Sequence, residues 1–275
     1  MSLIAHGRNQ LTMNILVCAR KVPDTSENEI ELNRAGNDIE RDDLVYSVNE
    51  PDNYAVEAAL QIFEKAGGKV TVVTVGSEED EDIPRREMAM GAHQGVLLTD
   101  ECFNGSDGRG IAMILKAYVQ KEHFDLILTG VQGEDGAAQV GGMLAAMLDY
   151  PFASLVNSIE VLDGGKLRIG REIESGNREM NEIELPCVLS IQTGINEPRY
   201  VGMRGIRQVA SIPIPALAAA DLGLNSSLVG AAAAKVKCVD YFVPQAGGGA
   251  RMLQGSREAQ GEELLEMLAA NGGLN

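Results

Sequence analysis

From residue 13 onward, short apolar runs alternate with longer stretches in which apolar positions recur every three or four residues. Residues 14–19 (Asn-Ile-Leu-Val-Cys-Ala), 69–75, 95–99, 125–129 and 187–191 carry the dense β-branched and leucine content of buried strands. Residues 54–65, 78–92 and 107–121, and an Ala/Leu/Met-rich stretch ending near Leu148, have the helical period. Asn49-Glu50-Pro51-Asp52 supplies the start of the first helix, and Gly67-Gly68 ends it. This alternation predicts an α/β fold, a doubly wound and mostly parallel sheet of the adenine-nucleotide-binding kind, with strand order 3-2-1-4-5. Residues 161–162, 167–173 and 179–185, around the Asp163-Gly164-Gly165 turn, alternate as antiparallel strands added to it. Residues 25–48 alternate weakly around Gly36-Asn37, as a small hairpin or ordered excursion would.

The clearest candidate chemistry follows the fourth strand. Gly130 to Gly142 reads Gly-Val-Gln-Gly-Glu-Asp-Gly-Ala-Ala-Gln-Val-Gly-Gly and leads into a helix. Its glycines let the main chain turn sharply and approach a ligand, and a helix N-terminus favours an anion such as a nucleotide phosphate. The turn matches neither the phosphate-loop pattern nor the Gly-x-Gly-x-x-Gly fingerprint, so a turn that only packs helix on sheet competes with the ligand reading. In the predicted strand order, ligands lie outside the carboxyl ends of the first and fourth strands. That places Cys18, with the basic pair Arg20-Lys21 after it, opposite the glycine turn and beside Val75 to Ser77.

Composition narrows the partners. The chain has 275 residues, 45% of them hydrophobic, no Trp and a formal net charge of −17, which argues against nucleic acid or an anionic membrane. Cys18, Cys102, Cys187 and Cys238 are widely separated, without a Cys-x-x-Cys, which fits a reducing, cytoplasmic setting and not an iron–sulfur or structural zinc site. No stretch is long and apolar enough to span a bilayer, and residues 1–12 read as an unstructured extension without a signal-peptide core.

Two further stretches depart from the pattern. Residues 194–212 form a basic island carrying Arg199, Arg204 and Arg207, interleaved with Tyr200, Val201, Met203 and Ile206. A solvated surface loop is the plain reading; the mixture of arginine and exposed hydrophobes is closer to a docking loop. Residues 213–275 are Ala-rich, then Gly-broken at 247–249, with residues 235–242 as an edge-strand candidate and residues 258–270 as a short amphipathic helix. They read as an arm that wraps another chain, after a nucleotide-binding α/β domain over residues 13–212.

These residues carry a resemblance. The chain is similar to the β subunit of electron transfer flavoproteins from Met13 almost to its end, on Ile-Leu-Val-Cys-Ala-Arg-Lys-Val-Pro-Asp at 15–24, Asn49-Glu50-Pro51, Met88-Ala89-Met90-Gly91-Ala92, the Gly130 loop, and above all Gly194-Ile195-Asn196-Glu197-Pro198-Arg199-Tyr200 with Arg204-Gly205-Ile206. The arm, with Tyr241-Phe242-Val243-Pro244, resembles the branch related to the trimethylamine dehydrogenase partner. The resemblance implies an electron carrier that is not an enzyme alone. Its partners would be an α subunit that holds the redox FAD and is wrapped by this chain's arm, flavin dehydrogenases such as acyl-CoA dehydrogenases of fatty acid β-oxidation, and a downstream oxidoreductase such as a quinone reductase.

It also implies nucleotide contacts at Cys18, Asn49, Glu50, Pro51, Asp52, Val75, Gly133, Glu134, Asp135, Gly136, Ala137, Ala138, Gln139, Val140, Gly141, Gly142 and Met143, with AMP as the structural nucleotide. The matching recognition loop holds Asn196, Glu197, Pro198, Arg199, Tyr200, Arg204 and Arg207, with Met203 at its apolar anchor. The glycine loop is one residue shorter than usual, and Ala138-Gln139-Val140-Gly141 is similar to bifurcating members, in which a second FAD replaces AMP; Asn49 to Asp52 and the arm match the non-bifurcating branch. AMP is the expectation and a second FAD the alternative.

Other chemistry is weaker. His93 and His123 have no neighbours at metal-ligand spacing, and no nucleophile-and-base set can be assembled, so no metal or catalytic residue is expected. Glu134 and Asp135 fit capping or ribose contact better than acid–base work. An adenylate-forming or ATP-cleaving enzyme would need a Ser/Gly-rich loop after the first strand, where Arg20-Lys21-Val22-Pro23 stands. A stand-alone nucleotide sensor would not need the arm.

Overall fold

The structure, a computed structural model, describes residues 12–133, 137–244 and 249–273. Contacts divide the chain into two units, Met1–Glu31 with Glu40–Cys238, and Leu32–Ile39 with Val239–Asn275. In the first, β1 (Met13–Cys18), β2 (Lys21–Pro23), β3 (Tyr46–Val48), α1 (Glu50–Ala66), β4 (Gly68–Val75), α2 (Asp82–Met90), β5 (Gln94–Leu98), α3 (Gly108–Val119), β6 (Leu126–Gly130) and α4 (Val140–Leu148) follow in order. Then come β7 (Phe152–Leu162), β8 (Lys166–Glu172), β9 (Arg178–Glu184), β10 (Cys187–Ile191), α5 (Met203–Val209), β11 (Ala216–Leu217) and α6 (Ala219–Leu222).

Nine strands form one sheet in the order β11-β5-β4-β1-β6-β10-β7-β8-β9. It is parallel from β11 through β7 and antiparallel from β7 to β9. The stretch β5-β4-β1-β6-β10 is the expected 3-2-1-4-5 order, with the antiparallel addition at one end. The central strands are buried on both faces, which is why they read as unbroken apolar runs. Met13, Ile15 and Val17 of β1 meet Val56, Leu60 and Ile62 of α1 and Ile83 of α2 in one core. Leu16 points the other way, into a core shared with Ile114 and Leu115 of α3, Leu144 of α4 and Leu222 of α6.

The structure differs from the sequence reading at its edges. β7 is eleven residues long and changes partner within its length: Phe152 to Val156 pairs parallel with β10, then Val156 to Leu162 pairs antiparallel with β8. Register shifts at Val156/Ser158 and a left-handed Leu155 (φ 58°) make the change, a bulge that leaves no periodic signal. Residues 194–212 are not loop throughout, since α5 lies within them. The edge strand is not at 235–242 but at β11, which pairs parallel with β5 and is too short to show a period. Ala219, Leu222 and Val229 are buried in the α3 face, so residues beyond 213 still contribute core.

In the second unit, Leu32 and Ile39 form an antiparallel bridge around Gly36, and the Tyr241 amide donates to the Gly36 carbonyl at 3.1 Å. α7 (Arg257–Ala270) starts at Ser256, whose hydroxyl accepts from the Ala259 amide, and Arg251 pairs with Glu263. No residue of α7 is buried, and Leu264, Leu265, Met267 and Leu268 are exposed.

One buried group sits badly in this core. Glu87 of α2 is fully buried, and neither carboxyl oxygen has a hydrogen-bond partner. Burial pushes its pKa from 4.5 up to about 7; the Arg86 charge opposes the rise and the Asp52 charge adds to it. A carboxyl raised in this way contributes its full stability below pH 4.5 and loses it as pH rises through about 7. Glu87→Gln is therefore expected to unfold like the wild type in urea at pH 5 but to be more stable at pH 8, by about 2–3 kcal/mol for this size of rise. An equal effect at both values would contradict the assignment.

Candidate functional site

The first turn of α1 holds together the ends of two central strands. Asp52 is buried and accepts two main-chain hydrogen bonds, from the Arg20 amide at 3.0 Å just beyond β1 and from the Gly130 amide at 2.9 Å at the end of β6. Asn49, also buried, donates from its backbone to the Arg20 carbonyl at 2.9 Å and from its side chain to the Gln132 carbonyl at 3.0 Å. Pro51 fits the first helical turn, where its missing amide costs nothing, and Glu50 lies exposed beside it. The carboxylate thus spans the point where the sheet reverses direction, with β1 on one side and β6 on the other.

Burial pushes the Asp52 pKa up to about 7; the hydrogen bonds from Arg20, Asn49 and Gly130 and the Arg20 charge oppose it. Cys18, at the end of β1, has its thiol driven far above the ordinary range, first by burial and then by the Asp52 charge. It is no nucleophile. Val75 closes the neighbouring strand β4, where the Gly76 amide donates to the Leu98 carbonyl at 3.1 Å. Lys21 ties this side down, pairing with Asp80 at 3.4 Å and Asp82 at 3.6 Å and lying 5.4 Å from the centre of the Tyr46 ring.

The glycine turn faces this clamp. Gly133 lies against the Arg20 guanidinium, close enough that a Cβ there would stand 2.7 Å from its Cζ. Glu134, Asp135 and Gly136 lie outside the described residues. Ala138 is left-handed (φ 50°), and Gln139 begins α4 without a cap bond from its own side chain. Val140, Gly141, Gly142 and Met143 form the first turn. Gly141 sits directly on the Thr129 and Ser190 hydroxyls, which bond each other at 2.9 Å; a Cβ at 141 would meet the Thr129 Oγ1 at 2.8 Å. α4 therefore starts flush with the ends of β6 and β10, where the positive end of its dipole favours an anion.

The second group of candidates is split by the structure. Asn196 and Arg199 face inward: the Asn196 side chain donates to the Tyr54 carbonyl at 3.0 Å, and Arg199 bonds Glu57 at 2.8 and 3.0 Å and Glu64 at 2.9 Å. Burial of Glu57 works against its ionisation, but the hydrogen bonds from Arg199 and Gln61 outweigh it and hold the carboxyl below the usual range. These two residues pin the segment to α1, and Glu197 and Pro198 lie between them. Tyr200 (92% exposed), Met203 (62%) and Ile206 (45%) face outward with Arg204 and Arg207.

Sequence reasoning did not single out Arg20 within the pocket or Arg85 of α2, which touches the α5 segment. The basic strand end was visible, but which arginine lies on the glycine turn depends on the fold. A groove of about 1160 Å³ lies elsewhere, between Ala58 to Ala66 of α1 and Ser158 to Leu162 of β7, apart from the strand ends. Among the described residues, no group of three or more His, Cys, Asp or Glu could hold a metal, and no helix is long and apolar enough to cross a membrane.

The fold is a doubly wound, mostly parallel α/β sheet with a glycine turn and a helix start gathered at the ends of its central strands. Residues 37–222 match the electron transfer flavoprotein domain family. The chain is 34% identical over 260 residues to the electron transfer flavoprotein subunit beta of Methylophilus methylotrophus, covering 93% of this chain and 98% of that one. It is 34% identical to the subunit of the same name in Bacillus subtilis (strain 168), over 93% and 97% of the two chains. To the caffeyl-CoA reductase-Etf complex subunit CarD of Acetobacterium woodii it is 36% identical, over 89% and 93%. The chain belongs to the electron transfer flavoprotein family, among its β subunits.

Proposed function

We propose that this chain is the β subunit of a heterodimeric electron transfer flavoprotein. In this reading it holds AMP as a structural nucleotide and helps pass electrons from a flavin dehydrogenase, such as an acyl-CoA dehydrogenase of fatty acid β-oxidation, to a downstream quinone reductase. The FAD held mainly by the α subunit supplies the redox chemistry; this chain supplies shape and contact and no catalytic side chain. The observation that carries the reading is that α1 reaches both candidate sites, the strand-end cradle through Asn49 and Asp52 and the segment leading to the exposed Tyr200–Met203–Ile206 face through Tyr54, Glu57 and Glu64.

The residues present fit the phosphate of AMP: the start of α4, the Gly133 main chain and the Arg20 guanidinium offer donors and positive charge. The adenosine would lie along the ends of β1 and β4, by Cys18 and Val75. Glu134 to Gly136 complete the proposed loop. The exposed leucines of α7 fit a C-terminal arm, beyond the core residues Ala219, Leu222 and Val229, that reaches the α subunit. Free thiols at Cys18, Cys102 and Cys187 are in keeping with a cytoplasmic protein.

A second reading is a bifurcating subunit with a second FAD in place of AMP, which the similarity of Ala138-Gln139-Val140-Gly141 to bifurcating members favours. Two relatives are named as parts of reductase systems, the caffeyl-CoA reductase-Etf complex subunit CarD of Acetobacterium woodii and the acryloyl-CoA reductase electron transfer subunit gamma of Anaerotignum propionicum, the latter 32% identical over 265 residues. The test of the carrier reading is to co-express the chain with its α subunit and mix the heterodimer anaerobically with a flavin dehydrogenase and its substrate. Bleaching of the heterodimer's flavin only when the dehydrogenase is present supports it; a flavin that stays oxidised, or a chain that purifies as a stable homodimer without α, overturns it.

A further inference from the structure

α5 is too short to be a stable helix on its own. It has seven residues, its N-terminus carries no side-chain cap, and of its residues only Val209 is buried. What fixes it lies on α2. The Arg85 Nη1 donates to the Val209 carbonyl at 2.7 Å, the Ile212 carbonyl at 3.0 Å and the Ala210 carbonyl at 3.3 Å. The Val209 carbonyl also accepts from the Ile212 amide at 3.1 Å, so Arg85 gathers the carbonyls of the last turn and of the residues after it, and a cation at a helix C-terminus meets the negative end of the helix dipole. The second terminal nitrogen, Nη2, is paired with Glu81, the residue just before α2, which holds the fork in place. Toward the start of α5, Gly205 lies on the Ala89 carbonyl of α2; a Cβ there would stand 2.6 Å from that oxygen.

We infer that Arg85 is the positioning residue of the docking helix: with the Gly205–Ala89 contact, it seats α5 on α2 so that Met203 and Ile206 project to the partner dehydrogenase. Arg85 touches no partner itself and acts through α5. The inference rests on the docking reading given above and adds to it that the apolar face is preorganised, so that association does not have to order the helix.

Arg85→Gln is tested in the intact heterodimer by two measurements. One is the KM and kcat of dehydrogenase turnover with heterodimer as the varied acceptor; the other is hydrogen exchange of the amides at 203–209 in the absence of dehydrogenase. The expected result is a KM raised about fivefold to tenfold, smaller than the effect of removing the anchor, with kcat and bound nucleotide unchanged and faster exchange confined to 203–212. Arg85→Lys, which keeps a charge but has no second nitrogen to pair with Glu81 while it reaches the α5 carbonyls, should fall between. Wild-type KM and wild-type exchange in Arg85→Gln overturn the inference. Should that variant fail to fold, Gly205→Ala, which leaves the Arg85 donors in place and lifts the helix off α2, is read by the same two criteria. Met203→Ala separates the two ideas: if it leaves KM unchanged the docking reading fails, whereas a raised KM for Met203→Ala beside an unaffected Arg85→Gln removes only the role of Arg85.

Discussion

Asp52→Asn is expected to empty the strand-end site and to leave one strand-end amide without its acceptor, a loss of stability that relief of the buried charge offsets in part at pH 8. The two oxygens of Asp52 each accept one backbone N–H, at 3.0 and 2.9 Å, from just beyond β1 and from the end of β6, strands that pair in parallel from Ile15 to Cys18 and are held together past that ladder by this carboxylate and by Asn49. Asparagine keeps one acceptor and turns two N–H donors toward the other amide. That amide then loses its partner in a buried setting, a cost of about 1–3 kcal/mol before any repulsion is counted. The effect on ligand follows from position. The Gly130 amide is the first group of the glycine turn, so freeing it loosens the main chain that must approach a phosphate. Denaturant unfolding and chromatography of nucleotide retained after gel filtration measure the two effects. Wild-type stability with full nucleotide content would show that the clamp is dispensable.

Met203→Ala should raise the dehydrogenase KM for the heterodimer by about tenfold or more while leaving kcat and nucleotide content unchanged. Met203 is 62% exposed, flanked by Tyr200 and Ile206 and framed by Arg204 and Arg207, on a chain of net charge −17. A flexible thioether held outward on a seated helix is suited to filling an apolar pocket on a partner. Truncation removes that contact and little from the fold, because the side chain is not in the core. Initial rates at sub-saturating heterodimer measure it, and an unchanged rate there would remove Met203 from the interface.

The two effects differ in how far the sequence foretold them. The parallel core was legible because β1, β4, β5, β6 and β10 are buried on both faces, which forces continuous apolar runs, and the strand order followed from the β/α alternation. The start of α1 was legible from Asn49, Pro51 and Asp52 as helix-starting residues. That Asp52 turns its carboxylate back to join two strand ends was not, since this depends on where Arg20 and Gly130 come to lie. α5 was hidden because it is seven residues long and keeps its apolar residues outward, which inverts the usual amphipathic signal. By the resemblance Asn196 and Arg199 belong to the partner-recognition loop; only the fold shows them turned inward, to Tyr54 and Glu57. Glu87 lies within the predicted helix at 78–92, and its burial has no local signature.

This chain is expected to hold AMP as a nucleotide of its own, distinct from the flavin of its partner. The most direct measurement is to denature the purified heterodimer and quantify what is released by chromatography. One FAD and one AMP per heterodimer is the result expected; two FAD without AMP, or one FAD and nothing more, would contradict it.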